Sequence, residues 1–254
     1  MAIIKTEKEK KIARESGRRL ATVLYQVMER AAPGVTSREL DQYAKGLIKE
    51  GGDEPAFLGY KPSGAKIPFP ASLCVSINDE VVHGIPDDHV LKEGDIVGLD
   101  LGLKHKGFIT DMARTISVGV VDKNAQKLIE VTQKALSEGI KSIHVGGHVG
   151  DIGSVIEKTV KKGGFKIVEE LGGHGVGAKV HEEPYIPNYG KKGTGPELVE
   201  GMVLALEPIV NEGDSRIFLE KDYYTFKTKD GKRSAHFEDT ILITKNGAEI
   251  ITKS

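Results

Sequence analysis

Two acidic residues, Asp100 and Asp111, sit inside the stretch GLDLGLKHKGFITDMART, whose apolar halves flank the short polar turn Lys104–Gly107. That pattern predicts a β-hairpin. A turn centred between His105 and Lys106 brings Asp100 opposite Asp111, at roughly the 4.5–5.5 Å of directly paired residues, where like charges repel. Carboxylates among Leu, Ile, Phe and Met are costly to bury unless something positive lies between them. Arg114 is one candidate, and a bound divalent cation resolves the conflict better. Alternatively, a bulge slips the register and turns one Asp to solvent. A second cluster, GGHGVGAKVHEEPYIPN, holds His174 and His181 in a glycine-rich loop. Glycine there permits close approach of the backbone to a ligand, although a lone histidine serves equally as a hydrogen-bonded core residue. The spacing is not that of an HExxH helix. Glu207 in MVLALEPIV and Glu238 in SAHFEDTILIT complete the set. The neighbours of Glu207 leave it no polar side, so burial with a partner is expected. Glu238 is more ambiguous, because strand alternation turns Asp239 the other way.

These four carboxylates and one or two histidines span about 140 residues and fall mostly on strands. A structural zinc site uses cysteine or histidine and is closed. An oxygen-rich set suits Mn(II), Fe(II) or Co(II), with Zn(II) tolerated. Five such groups exceed the needs of one ion and suit two, roughly 3.5–4 Å apart, as in two-metal hydrolases.

The elements that must position these residues alternate between helical and extended patterns. Thr6-x-x-Glu9 and Thr36-x-x-Glu39 are capping boxes that open two helices, stopped at Pro33-Gly34 and Gly51-Gly52. The second has an echo 112 residues on, where Ile152, Val155, Ile156, Thr159 and Val160 repeat its phase and Gly163-Gly164 its stop. Either amphipathic helices merely resemble one another, or the chain comprises two related halves, about 6–118 and 119–250, of one catalytic domain spanning 1–254. Strands are predicted at 73–77, 94–103 and 108–118, then a helix at about 122–140. Further strands are predicted at 165–169, 199–210, 223–228 and 235–244, with loops at 53–72 and 182–198. Paired helices beside runs of strands imply an α+β fold, an antiparallel sheet covered by helices on one side.

The 254 residues are 39% apolar and 29% charged, as in a globular protein, and the net charge of −1 favours neither nucleic acid nor a membrane surface. Cys74 is the single cysteine, which excludes an intrachain disulfide and a cysteine metal cluster and fits a reducing compartment. The start, MAIIKTEKEKKIARES, lacks the apolar core of a signal peptide. The expectation is a cytoplasmic monomer.

VVHGIP (81–86), the Asp100 and Asp111 pair, GHGVGAKVHEEP (173–184), LALEP (204–208) and HFEDT (236–240) together resemble the motif series of type I methionine aminopeptidases of peptidase family M24. Their order and intervals agree over about residues 5–250. The resemblance implies the pita-bread fold, two pseudo-symmetric halves around a curved antiparallel sheet with the metals at its centre. It implies Asp100, Asp111, His174, Glu207 and Glu238 as ligands of two divalent ions, Asp111 and Glu238 bridging. The implied reaction is removal of the initiator methionine from nascent polypeptides, before a small second residue. Glu207 would take a proton from the metal-activated water and pass it to the leaving amine. His181 would donate to the developing oxyanion and His83 would orient the scissile amide nitrogen. Tyr60, Phe69 and Cys74 match the family's methionine pocket, and Tyr224 stands where a large aromatic is common. Met1-Ala2 would itself qualify as a substrate, and a transient ribosome contact fits the activity, though no basic patch announces one.

Two departures stand out. Segment 61–68 is longer than the compact bacterial form has, and His236 stands where glutamine is frequent, on the same face as Glu238. Proline-specific peptidases share the fold and metal set but usually carry a large preceding domain, and the HEEP wording favours the methionine type. The 26-residue interval from His181 to Glu207 leaves no room for the helical insertion of type II enzymes. A metal-free binding module of the same fold would have lost ligands, and here every ligand position is filled.

Overall fold

In the computed structural model, which describes residues 3–62 and 64–253, the two capping boxes form as predicted. Thr6 opens α1 (Glu7–Arg30) and Thr36 opens α2 (Ser37–Glu50), each hydroxyl accepting from the backbone N–H of the glutamate three residues on. Leu20, Leu24 and Val27 of α1 and Leu40, Ala44 and Ile48 of α2 are buried in one cluster, as the helical periodicity requires. Met1-Ala2 lies outside the described residues, as does Ser63 within segment 61–68.

The chain then runs through β1 (Glu54–Pro55), β2 (Leu73–Ile77), β3 (Glu80–Val82), β4 (Ile96–His105) and β5 (Phe108–Ser117) to α3 (Lys123–Lys141) and α4 (Val149–Gly163). Ten further strands follow: β6 (Lys166–Ile167), β7 (Gly172–Gly175), β8 (Glu182–Pro187), β9 (Val203–Leu206) and β10 (Ile209–Asn211), then β11 (Ile217–Leu219), β12 (Phe226–Thr228), β13 (Ser234–His236), β14 (Glu238–Thr244) and β15 (Gly247–Ile250). A nine-stranded antiparallel sheet runs in the order β1-β4-β5-β14-β9-β7-β8, with β2 on β4 and β15 on β14. Two three-stranded sheets, β13-β10-β6 and β11-β12-β3, flank it.

The large sheet is covered by helices on one face and carries the acidic residues on the other. Strand alternation does the sorting. Leu99, Leu101, Leu103 and Met112 pack with α1 and α2, and Leu204, Leu206, Ile241 and Ile243 pack with α3 and α4. The residues between them, Asp100, Asp111, Ala205 and Leu242, face the other way.

The β4–β5 hairpin corrects one expectation. Its turn is centred on Lys106-Gly107, both with positive φ (48° and 82°), as a two-residue turn matching strand twist requires. Asp100 therefore pairs with Ala113, and Asp111 with Gly102. The two acids share a face as diagonal neighbours, not as a directly opposed pair, and no bulge turns either to solvent. The predicted loops also yield strands: β1 lies within 53–72, and 182–198 opens with β8. His174 stands on β7, not in a loop, because alternate glycines let this strand pack between β8 and β9.

The run 199–210 is broken as well. Pro208 cannot donate a ladder hydrogen bond, so β9 ends at Leu206 and β10 starts at Ile209. The run paired with it breaks between β13 and β14 at Phe237, whose N–H reaches Pro208 O at 3.4 Å. Glu207 and Glu238 sit at these matched breaks.

Behind the site, the VVHGIP segment doubles back on β2. Val75 N–H donates to Gly84 O at 2.9 Å, and a Cβ at Gly84 would lie 2.1 Å from Val75 O. Gly84→Ala is therefore expected to lower unfolding stability by about 1–3 kcal/mol, read by urea denaturation. A loss within about 0.5 kcal/mol, the range of neutral surface changes, would contradict this close approach.

Candidate metal centre

Four neighbouring strands carry a single row of residues on the face away from the helices. Cys74 of β2 pairs with Asp100 of β4, Asp100 with Ala113 of β5, and Ala113 with Glu238 of β14. Asp111 stands two residues from Ala113 on the same face. His174 pairs with Ala205 of β9, and Glu207 follows two residues later, where Pro208 ends the strand. The five acidic and imidazole groups expected to converge do so: together with His83, His181, Tyr60, Phe69, Cys74 and Tyr224 they line one cavity of about 310 Å³. One oxygen or nitrogen each from Asp111, His174 and Glu238 lie within 4.8 Å of one another. His174 Nε2 is 3.5 Å from Glu207 Oε1.

The local wiring fixes these side chains. Asp111 N–H donates to Thr240 Oγ1 at 2.9 Å, and that hydroxyl donates to Asp111 O at 2.7 Å, locking β5 to β14 beside the site. His174 Nδ1 is 2.9 Å from Gly175 O. A carbonyl only accepts, so the proton is on Nδ1 and the Nε2 lone pair faces the acids, the arrangement of a metal-binding histidine. Asn188 Nδ2 holds Glu207 O at 2.9 Å.

Electrostatically the cluster is frustrated. Burial raises the Asp100 carboxyl to about 6, with Glu207 adding to the rise and His236 opposing it. Burial pushes Asp111 and Glu238 well above the usual carboxylate range, and their acidic neighbours push them further. Burial alone takes Glu207 to about 8. The imidazoles move the other way: desolvation lowers His174 to about 3 and His83 to about 4, and it lowers His181 as well. They are neutral at ordinary pH, with lone pairs available.

No Lys or Arg is among the described residues lining this cavity. Arg114 is excluded as the counter-charge, because its guanidinium turns to the other face, donating to Glu238 O and to Asp239 at 2.7 Å. Asp100 Oδ1, Glu238 Oε1 and His236 Nε2 are buried without a hydrogen-bond partner. Orphaned carboxylate oxygens within a cluster of four acids match a cation-binding centre, and the oxygen-rich donor set fits a hard or borderline divalent ion.

Apolar side chains build the rest of the cavity. Phe69 and Tyr224 meet edge to face at 5.1 Å between ring centroids, Tyr224 Oη donates to Ile67 O, and Pro62, Gly64 and Ala65 add to the pocket lining. Phe57 and Val180 add walls, while Leu219 and Tyr223 form an exposed rim. Sequence reasoning missed these four. Only Phe57 left a trace, because Gly102 in β4 opens the space its ring fills: a Cβ there would lie 2.6 Å from the ring. His236, singled out as a departure, lies 3.4 Å from Glu207 and 3.9 Å from Glu238 through Nε2. A wider cleft of about 650 Å³, lined by Glu170, Lys179 and Tyr185 among others, shares His83, His174, His181 and Glu207 with the smaller cavity.

A curled antiparallel sheet, four helices and a carboxylate–histidine centre define a metal-dependent hydrolase of the pita-bread architecture. A model of metallopeptidase family M24 matches residues 11–245, and the chain belongs to that family. It is 43% identical over 252 residues to the methionine aminopeptidase of Clostridium perfringens, across 99% of this chain and 99% of that one. The crystal structure of methionine aminopeptidase from Thermotoga maritima matches with a TM-score of 0.95 at 43% identity, covering 100% of both chains. The prolidase from Pyrococcus horikoshii OT3 shares the fold at a TM-score of 0.78 and 26% identity, over 100% of this chain and 64% of that one.

The raised carboxyls give the metal-free protein a distinctive pH dependence. A group whose folded pKa is raised binds a proton that the unfolded chain has already released, so its stabilisation is complete below about pH 4.5 and is lost as pH rises through 6 for Asp100 and 8 for Glu207. The depressed imidazoles act in the opposite sense up to about pH 6.5, where the unfolded chain still protonates them, so the fall is read above that range. EDTA-treated protein should show a falling Tm from about pH 7 to 9, across the Glu207 value of about 8. Mn(II) should raise Tm more at pH 8 than at pH 5, because protons compete with the cation. A Tm that rises between about pH 7 and 9 in EDTA would contradict the buried-acid assignment.

Proposed function

We propose that this protein is a methionine aminopeptidase, removing the initiator methionine from nascent polypeptides when the second residue is small. The observation that carries this reading is an apolar slot, walled by Phe57, Tyr60, Phe69, Cys74 and Tyr224, that opens on the acid–histidine centre. Such a slot suits an unbranched thioether. The centre suits an exopeptidase, which must recognise a free α-amine next to the bond it cuts.

In this reading Asp100, Asp111, His174, Glu207 and Glu238 would hold two divalent ions, from among Fe(II), Mn(II), Co(II) and Zn(II). Bound there, the ions would supply a water of lowered pKa and polarise the scissile carbonyl. Glu207, whose burial gives it a high proton affinity, takes the proton of the attacking water and returns it to the leaving amine. The smaller cavity accepts the methionine side chain and the wider cleft the rest of the peptide. The scissile bond then falls at their junction, beside His83, His174, His181 and Glu207. There His181 donates to the developing oxyanion and His83 orients the amide nitrogen. His83 is held in a left-handed backbone conformation (φ 59°), a strain of the kind that clusters at working sites.

The same reading treats the chain as one catalytic domain of two halves, about 6–118 and 119–250, the first supplying Asp100 and Asp111 and the second the remaining ligands. It places the enzyme in the cytoplasm as a monomer that meets nascent chains by transient contact with the ribosome. A lone buried cysteine accords with a reducing compartment. No helix among the described residues is long and apolar enough to cross a membrane.

Hydrolysis of Met-Ala-Ser by protein loaded with Mn(II) or Co(II) tests the activity, beside a proline-containing peptide. Release of methionine is expected, and cleavage only before proline would move the assignment to the prolidase branch. Glu207→Ala should lose metal and activity together. His181→Ala should keep its metal and lose about 10²–10³ in kcat, the usual cost of an oxyanion donor. Loss of metal from His181→Ala would overturn the division between ligands and proton-handling groups.

A further inference from the structure

Tyr60 does more than wall the pocket. Its hydroxyl oxygen lies 2.8 Å from His181 Nδ1, joining residues 121 apart in the chain. The two rings are tilted at 50° with centroids 5.4 Å apart, and His181 meets His174 edge to face at 4.4 Å. Backbone bonds fix the tyrosine: its N–H donates to Phe57 O at 2.9 Å and its carbonyl accepts from Phe69 N–H at 2.8 Å. His181 stands in the loop between β7 and β8, so a rigid anchor on the opposite wall decides its orientation.

The distance admits either direction, and the chemistry of the two groups chooses between them. A phenol O–H is a much stronger hydrogen-bond donor than an imidazole N–H, and an imidazole nitrogen a much better acceptor than a phenol oxygen, so the hydroxyl donates. A neutral imidazole has one donor and one acceptor nitrogen. With the phenol donating, Nδ1 is the acceptor and Nε2 carries the proton. That is the tautomer an oxyanion donor needs.

We propose that Tyr60 is a positioning residue: its hydroxyl donates to His181 Nδ1, holds the imidazole with its proton on Nε2, and couples the wall of the side-chain slot to the group facing the scissile carbonyl. The inference rests on the assignment of His181 as the oxyanion donor.

Tyr60→Phe keeps the ring and removes only the hydrogen bond. With Met-Ala-Ser, kcat should fall about 10-fold, the cost of one such bond expressed in the transition state, with KM changed less than about twofold. In the double variant Tyr60→Phe/His181→Ala, the tyrosine change should cause no further loss beyond His181→Ala. In the Zn(II)-loaded protein, ¹⁵N NMR of the imidazoles, with His181 assigned through His181→Ala, should show Nε2–H in the wild type and a tautomer mixture in Tyr60→Phe. A loss carried by KM alone, losses that multiply in the double variant, or an unchanged His181 tautomer would each overturn the proposal. An unimpaired kcat in His181→Ala would instead overturn the underlying oxyanion assignment, and the tautomer readout would still decide the Tyr60 bond.

Discussion

Four carboxylates gathered on one face of a sheet, three of them buried and Glu207 nearly so, with no lysine or arginine among the described residues of their cavity, are the constraint on which this structure turns. Burial and mutual repulsion both oppose their ionisation, so in a metal-free chain the cluster stays stable mainly by retaining protons. Divalent cations replace those protons and convert an electrostatic liability into a binding site. The surrounding architecture can be read as the means of keeping the conflict in place. Helices cover only the other face of the sheet, Arg114 is tied to Asp239 on that face, and His174 is held with its lone pair toward the acids.

The backbone makes its own contribution through two matched interruptions. A regular strand would point Glu207 with the helix-packed residues or against them according to parity alone. The Pro208 break frees it from the ladder, and the opposing break at Phe237 keeps β9, β10, β13 and β14 paired on either side. Breaks of this kind re-aim side chains without ending the sheet. The carboxylate proposed to handle protons thus sits where the sheet is least regular, Glu238 borders the opposing break, and Asp111 lies within a regular strand.

Much of this was legible in the sequence, for identifiable reasons. Capping boxes are local, and both formed. Apolar strands with an embedded acid signal a buried charge whatever the register, so Asp100, Asp111 and Glu207 could be singled out before their geometry was known. The hairpin offset was not legible, because the polar turn Lys104–Gly107 admits more than one centre and only the positive φ of Lys106 and Gly107 selects between them. β7 and β8 were hidden by glycines and prolines that ordinarily mark loops. The contact of Tyr60 with His181 could not be read at all, since it depends on how distant segments of the chain fold over one another.

Ala113 is the least conspicuous member of the row that includes Asp100 and Glu238, yet it stands between them with only a methyl group. Two strand spacings of roughly 4.7–4.9 Å each separate the acids at its sides. That width is close to what a pair of ions and their shared ligands occupy. In the proposed two-ion reading, the capacity of the site rests on a side chain with no chemistry of its own, and a bulkier residue there would take the floor space of a cation without touching a proposed ligand. Stoichiometry, in that reading, is a matter of steric vacancy as much as of donor atoms.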